Sequence, residues 1–318
     1  MQLRRLGNSD LLVAPICFGG NVFGWTADEA RSVSLLDAFI ERGFNFIDTA
    51  DVYSRWVEGN SGGESEAIIG RWLKKRGGRD QVVIATKVGM DMGGGKVGLS
   101  PKYIREAVEA SLRRLQTDYI DLYQSHRDDE SVEMEAVLET YAKLIDEGKV
   151  RTIGASNFTA DRLAAAIELA DRDGYPRYQT IQPEYNLYAR KGFEAELAPL
   201  CIEKSLSCIN YYALASGFLT GKYRSKEDLT KSARGSRSIE RYLNDRGLTI
   251  LKALDKVAHD TGSTPARVAL AWNMAQPAVT APIASAASLA QLDDIFAAPT
   301  LQLTADQMMI LNEASSGE

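Results

Sequence analysis

Phe44-Asn45-Phe46-Ile47, Val82-Val83-Ile84-Ala85-Thr86 and Tyr119-Ile120-Asp121-Leu122-Tyr123 are three short runs rich in β-branched and aromatic residues, the composition of strands buried on both faces. Helical patterns separate them, so the strands must recur in parallel. Polar residues stand just past each run: Asp48 and Tyr53 after the first, Lys87 after the second, His126 after the third. Ionisable groups delivered to one rim by successive strand ends can form a catalytic centre.

The same alternation runs outward to the C-terminus. Segment 28–42 opens on acidic residues and stops at Gly43, the start and stop chemistry of a helix. Further helices are expected near 64–75, 101–115, 131–147, 159–172, 193–204, 245–260, 264–276 and 288–296. Further strands are expected near 15–19, 151–155, 179–182, 207–212 and 279–283. With the first three they make eight, the number of a closed (β/α)8 TIM barrel in the α/β class. The opening MQLRRLGNSDLLVAP reads as a β-hairpin turning at Gly7-Asn8, placed to cap the bottom of the barrel. No Pro/Ser-rich linker, charge block or repeat beyond the βα alternation divides the chain, so residues 1–318 are expected to form a single domain.

Composition narrows the function. A hydrophobic content of 45% and a charged content of 25% match an ordinary globule with a large core. The net charge of −6 disfavours a nucleic-acid partner. The apolar stretch 11–18 is too short to span a bilayer and lacks signal-peptide layout, so a membrane role is not expected and the cytoplasm is the expected compartment. Cys17, Cys201 and Cys208 sit in apolar contexts without metal-ligand spacing and read as reduced, buried thiols. With only His126 and His259 in the chain, no metal site is expected, and His259 reads as a surface or a C-terminal-turn residue. The glycine-rich segment 89–98 lacks the spacing of a phosphate loop, and no Gly-x-Gly-x-x-Gly follows a strand. Between Lys222 and Arg241 lies the one basic stretch, with Arg224, Lys226, Lys231, Arg234 and Arg237; it reads either as a solvated loop or as a flap over an anionic cofactor.

Asp48, Tyr53, Lys87 and His126 suggest a specific chemistry. A phenol is a poor acid or base at neutral pH unless its anion is stabilised, and an ammonium such as Lys87 can do that. Asp48 would keep Lys87 charged. A neutral His126 could orient a carbonyl oxygen without competing as the acid. Such a group protonates a carbonyl, or deprotonates an alcohol, while something else handles hydride. Each residue alone also has a plain structural explanation, and only the shared rim position favours the functional one.

The segments Phe46-Ile-Asp-Thr-Ala-Asp-Val-Tyr53, Ala85-Thr-Lys87, Asp121-Leu-Tyr-Gln-Ser-His126 and Gly154-Ala-Ser-Asn-Phe158 resemble the aldo-keto reductase superfamily over essentially the whole length. The resemblance implies an extended nicotinamide cofactor and a tetrad in which Tyr53 is general acid and base, Lys87 and Asp48 tune it, and His126 positions the carbonyl. It assigns Ser156, Asn157 and Gln182 to the carboxamide and Tyr211 to the nicotinamide face. The stretch 213–223 is similar to the pyrophosphate-covering loop of bacterial members and of potassium-channel β subunits, which favours the flap reading. It implicates Leu214, Ser216, Gly217, Leu219 and Lys222. Near the last strand it implicates Ile283, Ser285, Gln291 and Asp294.

Ser285 and Gln291 stand where many NADP-using members carry Lys and Arg, so the resemblance leaves Lys222 as the cation for a 2′-phosphate. It favours NADP(H), with NAD(H) open. Trp25, Trp56 and Arg127 are expected to line the pocket of a small carbonyl or alcohol substrate, whether aldehyde, ketone or sugar. Two other functions fit the residues: a Schiff-base aldolase using Lys87, and a regulatory module that binds cofactor without turnover. Sequence indicates no oligomeric state.

Overall fold

A computed structural model of the chain describes residues 1–231 and 238–317; Arg234 and Arg237 of the basic stretch lie outside them. Two strands, β1 (Arg4–Arg5) and β2 (Leu12–Val13), pair antiparallel. Eight more follow: β3 (Cys17–Gly19), β4 (Phe46–Asp48), β5 (Val83–Val88), β6 (Ile120–Ser125), β7 (Val150–Ser156), β8 (Tyr178–Gln182), β9 (Ser207–Cys208) and β10 (Ile283–Ala284). They form one parallel sheet in the order β10-β3-β4-β5-β6-β7-β8-β9. The seam from β9 to β10 is closed by the Cys208–Val279 bridge and by backbone bonds from Thr280 to Cys208 O and Ile283 to Asn210 O. This is the (β/α)8 barrel that the strand count predicts.

Period-2 alternation sorts the strand residues by face. Ile47, Ile84, Tyr123, Ile153 and Ile181 join the large apolar core that the helices share. Phe46, Val83, Ala85 and Leu122 instead form a small inner cluster with Leu6, Leu11 and Val13 of the hairpin. The hairpin turn bonds to the starts of β8 and β9, through Asn8 N–H to Gln179 Oε1 and Gly7 N–H to Ser207 Oγ. It therefore plugs the barrel bottom, with its turn at Gly7-Asn8 as expected. Continuing the inward rows upward brings Asp48, Lys87, Gln124, Ser156 and Gln182 to the upper barrel interior; Lys87 pairs with Gln124 across β5 and β6, and Ser156 with Gln182 across β7 and β8. The barrel scaffold thus presents one polar layer above an apolar one.

The helices lie close to their expected bounds, with two differences. Segment 193–204 divides into Lys191–Glu194 and Leu197–Lys204, and a further helix, Ala305–Ser315, packs at the C-terminus. The strand expected at 207–212 is cut to Ser207–Cys208, because past Cys208 the chain leaves the ladder to enter the upper rim; the one expected at 279–283 forms only at its end, as Ile283–Ala284, with Val279 joined by an isolated bridge. His259 is exposed in the last turn of helix Asp245–Asp260, and all three cysteines are buried and free. Among the described residues, no helix is long and apolar enough to cross a membrane and no cluster of His, Cys, Asp or Glu is suited to a metal.

Candidate active site

Tyr53 reaches the rim from the turn after β4, where its N–H bonds to Ala50 O and the Asp51 N–H to Lys87 O. Lys87 is fully buried, and its ammonium donates to Asp48 Oδ2 at 2.7 Å, Thr49 O at 2.8 Å and the Tyr53 hydroxyl at 2.8 Å. Three acceptors match its three protons. The Tyr53 hydroxyl in turn donates to Asp48 Oδ2 at 3.0 Å. Asp48 Oδ1 accepts from Gln182 Nε2 at 2.9 Å and Gln124 Nε2 at 3.4 Å. His126, held by its N–H to Val88 O, lies beside Tyr53 with ring centroids 6.2 Å apart. The four residues expected to act together do converge.

Burial and the charge of Asp48 push the Tyr53 phenol well above its ordinary pKa, so the resting hydroxyl keeps its proton. Lys87 makes the contact expected of it, but the direction at Tyr53 is upward, set by desolvation and by a carboxylate at hydrogen-bond distance. Burial also lowers Lys87, opposed first by Asp48. His126 falls well below the usual histidine range, through burial and then the nearby Lys87 and Arg127 cations, so it is neutral at pH 7. Its Nδ1 is buried without a partner among the described residues.

From this cluster a groove of about 610 Å³ runs across the rim. Asp48, Tyr53, Trp56, His126 and Arg127 line one end; Ser156, Asn157, Gln182 and Tyr211 follow; Leu214, Ser216, Gly217, Lys222, Ile283, Ser285, Gln291 and Asp294 line the remainder. Asn157 Oδ1 accepts from the Tyr211 hydroxyl at 3.0 Å, and Ser156 Oγ donates to Gln182 O at 2.9 Å. Ser216 (φ 57°) and Gly217 (φ 96°) turn the backbone left-handed; near a Cβ at Gly217 only the Lys222 side chain stands within 4 Å. Bare backbone therefore faces the groove there, with an ammonium beside it, the arrangement that suits an anion.

Three expected residues do not line the groove itself. Leu219 is buried in the apolar core, Lys87 lies beneath the groove floor, and Trp25 lines a smaller adjoining cavity of about 240 Å³, where its ring meets Trp56 edge-on at 5.6 Å. Most described cations of the basic stretch are internally paired: Arg224 with Asp255, Lys226 with Glu240, Lys231 with Asp228 and Arg241 with Glu184. Lys222 alone among them lines the groove.

Sequence reasoning missed several residues. Gln124 belongs to Asp48's hydrogen-bond shell, a place the inward alternation of β6 could have disclosed. Asp51 is 2% exposed with neither carboxylate oxygen partnered among the described residues, and burial and Glu66 raise its pKa to about 8. Arg267 holds Asp294 at 2.8 Å.

The aldo/keto reductase family model matches residues 15–316. An uncharacterized oxidoreductase of Bacillus subtilis, YrpG, is 33% identical over 100% of this chain and 97% of its own length. A probable voltage-gated potassium channel subunit beta of Arabidopsis thaliana is 34% identical over 92% and 90%. The versiconal hemiacetal acetate reductase of Aspergillus parasiticus is 30% identical over 98% and 96%.

Proposed function

The chain belongs to the aldo/keto reductase family, and on that premise we propose that it transfers a hydride between NADP(H), with NAD(H) as the alternative, and a small carbonyl or alcohol, using Tyr53 as general acid and base. The observation that carries this reading is the closed triangle of Tyr53, Lys87 and Asp48 at the end of a long groove whose far side offers amides, an aromatic face, bare backbone and a cation. Those groups match a nicotinamide dinucleotide from carboxamide to phosphates. Gln182 spends its amide N–H groups on Asp48 and Gln124, so its carbonyl oxygen is the end left for a carboxamide N–H. Ser156 and Asn157 would complete that contact, and Tyr211 would lie against the ring.

The reduced cofactor supplies the hydride. Everything else falls to the chain's own side chains. Because the Tyr53 proton rests on Asp48, the hydroxyl must rotate toward the substrate oxygen as negative charge develops there. Proton transfer then leaves a phenolate 2.8 Å from the Lys87 ammonium, which is held by Asp48 and Thr49 O. That contact lowers the cost of the phenolate and, in reverse, makes it a base for an alcohol. With no acceptor at Nδ1, neutral His126 favours the tautomer protonated on Nε2, which gives one donor to align the carbonyl. Trp56, its ring 6.2 Å from that of Tyr53, and Arg127 wall the substrate space.

An aldolase using Lys87 fits less well, because a Schiff-base lysine needs a free lone pair and this ammonium is enclosed by three acceptors. A purely regulatory role does not require the assembled tetrad. Titration with NADPH and NADH, followed by carbonyl and alcohol panels read at the nicotinamide absorbance band, tests the proposal. We expect saturable binding and turnover; binding of neither nucleotide would refute it.

A further inference from the structure

Beside the part of the groove lined by Gln291 and Asp294 stands a second cation that does not come from the basic stretch, Arg267. Helix Leu289–Ala297 starts at Ser288, and Gln291 and Asp294, three residues apart, both face the groove. Gln291 turns back on its own helix start, accepting the Ala287 N–H at 2.7 Å with Oε1, and brings no charge. Asp294 is met by the neighbouring helix Pro265–Met274: its Oδ1 accepts from Thr264 Oγ1 and from Arg267 Nε, both at 2.8 Å. Ala266, beside Arg267, lines the groove. The Arg267 side chain is about one-third exposed, and neither Nη nitrogen has a partner among the described residues. One guanidinium edge is thus fixed on the groove-lining Asp294, while the other is unpartnered and stands behind that carboxylate, next to the part of the groove where Gln291 offers no cation; Arg267 itself does not line the groove.

Lys222 stands in a different place. Its Nζ lies 3.7 Å from where a Gly217 Cβ would be and 5.0 Å from the Tyr223 ring centre, over the left-handed Ser216-Gly217 turn. That position serves the bare backbone of the turn.

We infer that Arg267 discriminates NADPH from NADH by binding the 2′-phosphate through its free Nη groups, while Lys222 serves the pyrophosphate that both cofactors share. The inference rests on the nicotinamide reading above. Asp294 holds the guanidinium in place and its own charge is offset by it, so a phosphate dianion meets a net cationic edge instead of a bare carboxylate. A planar fork with two free nitrogens suits phosphate oxygens, which a glutamine amide does not replace as a charge.

Dissociation constants for NADPH and NADH, measured by quenching of protein fluorescence at fixed ionic strength, test this in wild type and in Arg267→Gln, Arg267→Lys and Lys222→Ala. Loss of charge-assisted bonds should weaken NADPH about 10- to 100-fold in Arg267→Gln. NADH should change less than about twofold, which also reports that the groove is intact, and Arg267→Lys should recover part of the NADPH affinity because it keeps the charge. Lys222→Ala should weaken both nucleotides alike. Equal losses for both nucleotides in the two Arg267 variants, unchanged NADPH affinity in Arg267→Gln, or a loss confined to NADPH in Lys222→Ala would each overturn the inference. Wild-type protein that binds neither nucleotide overturns the nicotinamide reading itself, and this inference with it.

Discussion

Asp51→Asn should stabilise the fold increasingly as pH rises. Asp51 is buried beside Glu66, with Arg114, the Val52 N–H and Lys87 as weaker, opposing influences (the Val52 N–H falls outside full hydrogen-bond geometry), and its carboxyl holds a proton up to about pH 8 against an ordinary value of 3.8. A carboxyl whose folded pKa is raised contributes stability that is fully present below the unfolded pKa and lost as pH rises toward the folded one, because the unfolded chain releases the proton earlier. The penalty accumulates at about 1.4 kcal/mol per pH unit across the window from about pH 4 to 8. Asparagine cannot ionise and occupies nearly the same volume. Comparing variant with wild type at two pH values cancels any constant difference in packing or hydrogen bonding. Between pH 5 and 8 the advantage of the asparagine variant should therefore grow by up to about 4 kcal/mol. Unfolding entropy of about 2 cal/mol/K per residue for 318 residues converts this into a ceiling of about 6 °C in Tm. Thermal scans of both proteins at pH 5, 6, 7 and 8 measure it. A Tm difference that is flat across this range, or that shrinks with pH, would refute the assignment of a protonated, buried Asp51.

Other consequences are open to direct measurement. Lys87→Met should leave the barrel folded, lower turnover by at least about a hundredfold, and move the alkaline limb of the oxidation profile upward, since the phenolate loses its ammonium; an unmoved limb with activity retained would remove Lys87 as the tuner. Gly70→Ala should cost about 2 kcal/mol or more, because a Cβ there would collide with Arg114 O and stand 2.7 Å from the Leu115 carbonyl carbon, forcing helices Glu64–Arg76 and Pro101–Leu115 apart; a denaturation midpoint within error of wild type would contradict that close packing.

Strand alternation made the barrel legible because each inward or outward choice repeats every second residue and leaves a local record. The rim residues were legible for a related reason: Asp48 and Lys87 lie in the upper ends of recognisable strands and His126 directly follows one, so chain position implies position in space. The last strands were read too long because Asn210 and Tyr211 are apolar-flanked yet serve the rim: Asn210 Nδ2 bonds to Tyr185 O and Asn273 Oδ1, a set of partners far away in sequence. Helix Ala305–Ser315 left a signal that was missed, the Thr304 and Gln307 capping box. Asp51 and Arg267 left none. Burial of an acidic residue in a loop, and the pairing of one helix's arginine with the next helix's acid, arise only from tertiary packing, and the same letters on a surface would read identically.

The central claim is that Tyr53 supplies the transferred proton in a hydride-transfer site. Single-turnover mixing of enzyme saturated with reduced cofactor against a carbonyl found active in the panel, with Tyr53→Phe alongside wild type, addresses it most directly. The ring and the groove remain in the variant and only the hydroxyl is lost, so the cofactor dissociation constant should stay within about twofold while the rate of nicotinamide oxidation falls at least about a hundredfold. A variant that binds cofactor normally and oxidises it within about threefold of the wild-type rate would contradict the account.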